Sequence, residues 1–228
     1  MSKYVSKRSL IGRLRQKIRS KILLSCIKKS MSDQNRKRLL NILEIGPGYG
    51  DLAREFEVSF EVNTYSFLDL SPDVLDFLKS RFKDHKNNQF ISHDANYSLS
   101  RLSLMKQQII ISSHVIEHLE SPSKHLEDIY NHLDDDGIAI ISTPNLDSID
   151  AITLDLDWRG YKDNTHISLM GYAGLKDKLI RNRFEIIRSG TSPRFFREIL
   201  FQKNLDTFFF SKFHLGDSSN FIVQKRKG

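Results

Sequence analysis

Cysteine is almost missing from this chain: Cys26 is the only one among 228 residues. A lone thiol excludes an intrachain disulfide framework and a cysteine-built zinc centre. Long apolar runs are missing as well. No stretch approaches the roughly 20 residues that cross a bilayer, and Ile22-Leu23-Leu24, set among lysines, is too short for a signal-peptide core. The expectation from these absences is a cytoplasmic protein. There is no internal repeat and no low-complexity tract, and acids are scarce at one end. Residues 1–38 hold thirteen Lys and Arg against the single acid Asp33, so within a whole-chain charge of +7 the remainder is net acidic. What is present, 39% apolar and 28% charged residues, is the composition of an ordinary globule. The length suits one α/β domain with a full core.

Within the basic block, Leu10, Leu14, Ile18 and Ile22 recur at i, i+4 steps, with Lys17, Arg19 and Lys21 between them. That spacing predicts an amphipathic helix. Three occupants of its basic face are open: the helix caps the domain's cleft, docks on an anionic membrane surface, or contacts nucleic-acid phosphates. Residues 1–40 are therefore read as a basic helical extension, and 41–228 as the main domain with an insertion at 145–169.

From residue 41 the pattern alternates. Candidate strands are 41–46, 63–70, 88–93, 108–114, 137–142, 184–190 and 219–225, with helical stretches near 50–56, 72–83, 121–133 and 170–183. Ser71-Pro72 and Ser121-Pro122 are helix starts with proline in the first turn. Such alternation predicts an α/β, doubly wound, mostly parallel sheet with right-handed crossovers. The last two strands are joined by a segment holding Phe195, Phe196, Phe201, Phe208, Phe209, Phe210 and Phe213, which reads as packing or as an acceptor pocket.

The densest signal is Asn41-Ile-Leu-Glu44-Ile-Gly46-Pro-Gly48-Tyr-Gly50-Asp51. A buried strand stops at a glycine turn that lets backbone N–H groups approach a ligand, and a helix follows. Asp51 stands where a dinucleotide fingerprint has its third glycine, and an acid there repels a pyrophosphate. A cationic ligand without phosphate, S-adenosylmethionine, fits better. With Glu44 before the turn, the segment resembles the first motif of class I S-adenosylmethionine-dependent methyltransferases. The resemblance implies a seven-stranded Rossmann-like sheet whose last strand returns as a hairpin. Ligands in open α/β sheets lie beyond the strand carboxyl ends, where three further segments stand. Asp69-Leu70 ends the second strand, for the ribose hydroxyls. Asp94-Ala95 follows the third, for the adenine amino group. Ser113 and His114 end the fourth, beside the methionine portion.

After the fourth strand comes His114-Val-Ile-Glu117-His118-Leu, with Thr143-Pro-Asn145 and Asn164-Thr-His166 later. This block is similar to the branch holding ubiquinone-biosynthesis O-methyltransferases and many sugar and natural-product methyltransferases, across roughly residues 40–190. If a helix begins at residue 114, His114, Glu117 and His118 share one face. With His166 from the insertion they form either an N/O site for a divalent metal (Glu117, His118 and His166) or a general-base site (His114 or His118, oriented by Glu117 or Asp147). Small-RNA 2′-O-methyltransferases of the same superfamily hold a metal in a similar block, although His114 stands where their first Glu would be. His93, His125 and His132 read as surface or turn residues. The Asn/Asp-Pro-Pro-Tyr signature of amide methylases is absent at the fourth strand. The resemblance thus implies O-methylation of a small hydroxylated molecule, a sugar, polyketide or quinone-type precursor. An RNA-directed 2′-O-methyltransferase and a non-catalytic cofactor-binding scaffold are the alternatives.

Overall fold

Ile42 and Leu43 are neighbours in sequence but sit in different core clusters, because successive side chains of a strand point to opposite faces. Both are fully buried, so a near-continuous apolar run is required, as in parallel sheets covered on both sides. The computed structural model describes residues 10–192 and 214–227, with side chains from Lys17 onward. Seven strands form one sheet: β1 (Leu40–Ile45), β2 (Val62–Asp69), β3 (Asn88–Ser92), β4 (Gln107–Ser113), β5 (Leu133–Pro144), β6 (Phe184–Ser192) and β7 (Ser218–Lys225). Their order is β3-β2-β1-β4-β5-β7-β6. The pairs from β3 through β5 are parallel, and β7 runs antiparallel to both β5 and β6. This is the Rossmann-like methyltransferase sheet with its returning hairpin edge, each expected strand lying close to its observed range.

One face carries α1 (Leu10–Ser30), α3 (Asp51–Ser59) and α4 (Pro72–Arg81); the short α2 (Asp33–Arg36) links α1 to β1. Ile22, Leu24, Cys26 and Ile27 of α1 share a cluster with Phe56 of α3, Leu78 of α4 and Ile111 and Ile140 of the sheet. Burying each such aliphatic side chain contributes about 1.5–3 kcal/mol. The apolar residues of α1 from Ile22 onward are thus spent on this domain, whereas Leu10 and Leu14 lie outside the described side chains. The opposite face carries α5 (Pro122–His132) and α8 (Tyr172–Arg181), packed on Leu43, Ile45, Ile110 and Ile141.

The insertion between β5 and α8 holds α6 (Ile149–Leu154), a 3₁₀ turn at Asp155–Asp157 and α7 (Arg159–Lys162), none of which the periodicity foresaw. It is anchored by Trp158, 1% exposed, whose Nε1 donates to Asp217 Oδ1 at 3.3 Å. Among the described residues no helix is long and apolar enough to cross a membrane. The phenylalanine-rich stretch falls at 195–213, outside the described residues.

Candidate active site

The turn after β1 is built as the glycines require. Gly46 and Gly50 have φ of +67° and +66°, in the left-handed region that side chains disfavour. Each also lacks room for a Cβ, which would lie 2.6 Å from Val115 Cγ2 at Gly46 and 2.7 Å from Leu78 and Phe82 at Gly50. The turn is closed by Gly46 N donating to Leu68 O and Gly50 N to Pro47 O, both at 2.9 Å, and α3 starts at Asp51.

Beneath the turn lies a cleft of about 230 Å³. Its lining includes Glu44, Gly46, Gly48, Asp51, Ser113 and His114, together with Ser142 of β5, Ser192 of β6 and Ser218 and Asn220 of β7. Arg19, Ser20 and Leu23 of α1 close one side. Glu44 is 7% exposed and accepts the Tyr65 hydroxyl at 2.7 Å on Oε2. Burial pushes its carboxyl up to about 7, partly offset by the Tyr65 hydrogen bond and reinforced by the Asp51 charge. A carboxylate floor of this kind favours a cation.

The segments expected to take ribose and adenine meet at the adjoining strand ends, outside the lining of this cleft. His93 N donates to Asp69 O at 3.1 Å, tying the loop after β3 to the end of β2. Asp69 Oδ1 accepts Ser71 N at 2.8 Å, and burial raises its carboxyl above the usual aspartate range despite the backbone bonds from Ser71 and Leu70. Leu70 is exposed. Asp94 Oδ1 accepts Asn96 N at 2.9 Å and Asn96 Nδ2 at 3.1 Å, a turn that Ala95 occupies.

The histidine block departs from the helical face expected for it. His114 sits at φ 56°, in the left-handed region, and only Ile116–His118 form a 3₁₀ turn. The three side chains therefore differ in burial. His114 is exposed on the cleft, Glu117 is wholly buried, and His118 is half-buried. Glu117 Oε1 lies 3.3 Å from His114 Nδ1, and Oε2 accepts the Thr143 hydroxyl at 3.1 Å. Burial alone would raise Glu117, but the hydrogen bond and charge of His114 hold it below the usual carboxylate range, so it stays ionised. The Glu117 carbonyl accepts Ile167 N and Ser168 N, both at 2.9 Å, which fastens the insertion to this turn.

That fastening brings His166 to His118, with ring centroids 4.7 Å apart. One ligand atom each from Glu117, His118 and His166 falls within 4.8 Å of the others. His166 Nδ1 faces Gly160 O at 2.8 Å and His118 Nδ1 faces Thr165 O at 3.2 Å. His118 Nδ1 also lies 2.8 Å from the Thr165 hydroxyl, and His166 Nε2 lies 3.7 Å from Asp163 Oδ2. The trio can hold a divalent cation; the His114–Glu117 pair can accept and hold a proton.

One histidine was misjudged from sequence. His125 is 2% exposed, not at the surface, with Nε2 2.9 Å from Ser112 Oγ; burial lowers it to about 4, against the Asp128 charge. Arg19 was legible only as part of the basic face of α1, for which the cleft was one of three open places, and nothing local marks Ser20. The polar run Ser218-Ser-Asn220 opening a buried strand was the one available signal for the β7 side of the cleft.

Strand order, glycine turn and acidic floor define a class I S-adenosylmethionine-dependent methyltransferase domain. The chain belongs to the family described as methyltransferase domain, whose model matches residues 8–189. A malonyl-[acyl-carrier protein] O-methyltransferase of Halalkalibacterium halodurans is 30% identical over 103 residues, 45% of this chain and 38% of that protein. The chain spans under half the length of the curated relatives it matches. Among solved structures, an S-adenosylmethionine-dependent methyltransferase from Mesorhizobium loti aligns with a TM-score of 0.67 at 12% identity, covering 91% of this chain and all of that one. The plantazolicin methyltransferase BamL, in complex with a triazolic desmethylPZN analog and SAH, aligns at 0.65 and 16% identity, covering 93% of this chain and 85% of that one. At such identities the likeness is one of fold.

Proposed function

We propose that the chain transfers a methyl group from S-adenosylmethionine to an oxygen of a small hydroxylated acceptor, with His114 and Glu117 acting on the acceptor's proton. The observation that carries this reading is the His114–Glu117 contact of 3.3 Å at the lip of the cleft that the glycine turn forms. The donor supplies an electrophilic methyl on a sulfonium. The chain's part is to bind, align and deprotonate. Glu44, Asp51 and the Gly46–Gly50 turn take the amino-acid end, Asp69 the ribose, and Asp94 the adenine. An ionised, buried Glu117 orients His114 Nδ1 as its donor and leaves Nε2 to receive the acceptor hydroxyl proton. Alignment of the two reactants in the cleft supplies several kcal/mol more of barrier lowering. The resemblance to a malonyl-[acyl-carrier protein] O-methyltransferase supports an oxygen acceptor.

A second reading is favoured by the convergence of Glu117, His118 and His166. Two imidazoles and a carboxylate suit a first-row divalent cation, which would polarise the acceptor oxygen and lower its pKa. In this reading Glu117 ligates instead of orienting His114.

The test is methyl transfer from labelled S-adenosylmethionine to a panel of hydroxylated aromatics, sugars, a malonyl thioester and a 3′-ended RNA. It is run for the wild type, His114→Ala and His118→Ala, each with and without EDTA. The base reading expects transfer to an oxygen that survives EDTA and falls about 100-fold or more in His114→Ala. EDTA-sensitive transfer lost in His118→Ala replaces it with the metal reading. Transfer confined to a nitrogen or carbon acceptor defeats both.

A further inference from the structure

Helix α4 touches both the end of β2 at Asp69 and the glycine turn of the cleft. At its N-terminal edge, Ser71 N donates to Asp69 Oδ1. At its other end Arg81 turns back onto the glycine turn. Arg81 Nη1 donates to the Tyr49 carbonyl, and Nη2 donates to Asp51 Oδ1 at 2.9 Å. Between these ends, the edge of Phe77 meets the Tyr49 ring with centroids 5.7 Å apart. Leu78 and Phe82 fill the space where a side chain on Gly50 would go. Residues 77, 78 and 81 are one face of α4, continued by its C-cap Phe82, and that face is turned on Tyr49, Gly50 and Asp51.

The turn needs such a hold. Gly46, Gly48 and Gly50 all have positive φ, and glycines have many other conformations to occupy when nothing restrains them. An open surface ion pair would supply little restraint. Here the Arg81 and Asp51 side chains are each only 21% exposed, and a single guanidinium bonds a carbonyl and a carboxylate two residues apart in the chain. The planar fork of arginine suits that double contact, and lysine cannot reproduce it. Asp51 also lines the cleft, so its orientation is part of the binding surface.

We infer that Arg81 is a positioning residue of the cofactor site: through the Tyr49 carbonyl and the Asp51 carboxylate it holds the glycine turn in its binding conformation and, by way of α4, ties it to Asp69. The inference rests on the reading of this cleft as the S-adenosylmethionine site. Arg81 touches neither donor nor acceptor in this role. Its loss costs binding, because the turn must then be ordered each time ligand enters.

The experiment titrates the full chain with S-adenosylhomocysteine by calorimetry, for wild type, Arg81→Met and Arg81→Lys. Amide hydrogen exchange of each ligand-free chain is measured alongside. Arg81→Met is expected to weaken binding about tenfold, equivalent to about 1.4 kcal/mol. Its exchange should rise in residues 46–52 and stay unchanged in β5 and α8. Arg81→Lys, which keeps a charge for Asp51 and loses one contact, should fall between, and it carries the test if Arg81→Met does not fold. Affinity within twofold of wild type overturns the inference. So does exchange raised across the whole domain, which would make Arg81 a support of the fold alone. If the wild type itself does not bind, the cofactor reading of the cleft falls and this inference with it. Wild-type binding with an unaffected variant removes this inference only.

Discussion

Glu44 shows what burial does to a single carboxyl. Its ordinary value of 4.5 becomes about 7 under the glycine turn, chiefly through loss of water, with Tyr65 opposing and Asp51 adding to the shift. Between those two values the folded chain holds a proton that the unfolded chain has released. The stability from this group is complete below about pH 4.5 and is lost as pH rises through about 7, a change of about 3 kcal/mol. A cationic ligand reverses the preference and expels the proton. S-adenosylmethionine affinity should therefore rise with pH between about 5 and 7, with about one proton released per ligand bound near pH 6. Calorimetry in buffers of different ionisation enthalpy reads both quantities, and Glu44→Gln should flatten the slope. A slope that persists in the variant would assign it to another group. The place of Glu44 in the cleft was visible in the sequence because it is local, one residue inside a strand and two before the turn. His125 was not, because its burial depends on which face of α5 meets β4, and that is decided by residues far away in the chain.

At the scale of elements, the segment after β5 hangs on Asn145, which is wholly buried. Its Nδ2 donates to His214 O at 2.9 Å and to Gly216 O at 2.8 Å, and its Oδ1 accepts Tyr172 N at 3.0 Å and Asp147 N at 3.2 Å. One amide thus joins the end of β5, the start of α8 and the approach to β7. Asn145→Ala leaves buried backbone partners unpaired and should cost about 3 kcal/mol, a fall in Tm of about 10 °C for a chain of this size. Scanning calorimetry measures it, and a shift under 2 °C would contradict this role. The strands and the five longer helices were legible because period-two and helical spacing, with Ser-Pro starts in two of them, are written within each element. The helices of the insertion were not, since α6 and α7 are short and take their order from Trp158 and Asn145. The histidine block was half legible. Its position after β4 was as expected, but a helical face was expected where His114 adopts a left-handed backbone and Glu117 is buried.

For the molecule as a whole, the basic block and the sheet make one site. Helix α1 begins at Leu10, yet its Arg19, Ser20 and Leu23 reach the same cleft as Ser218 and Asn220 of the last strand. The cleft is acidic under the turn, through Glu44 and Asp51, and Arg19 also lines it. An amino-acid end carries both signs, an ammonium and a carboxylate, and the proposed cofactor reading would set the ammonium toward the acids and the carboxylate toward Arg19. Arg19→Met should therefore weaken S-adenosylhomocysteine binding about tenfold. It should leave 5′-methylthioadenosine, which has the nucleoside and the sulfur but no amino acid, at wild-type affinity. Titrating both ligands into both proteins gives a cycle whose coupling term isolates the carboxylate contact from any general loosening of α1. Equal loss for the two ligands would mean that α1 only shields the cleft. No loss for either, with a raised KM for the acceptor, would move Arg19 to the acceptor side and make the N-terminal helix a determinant of which molecule is methylated.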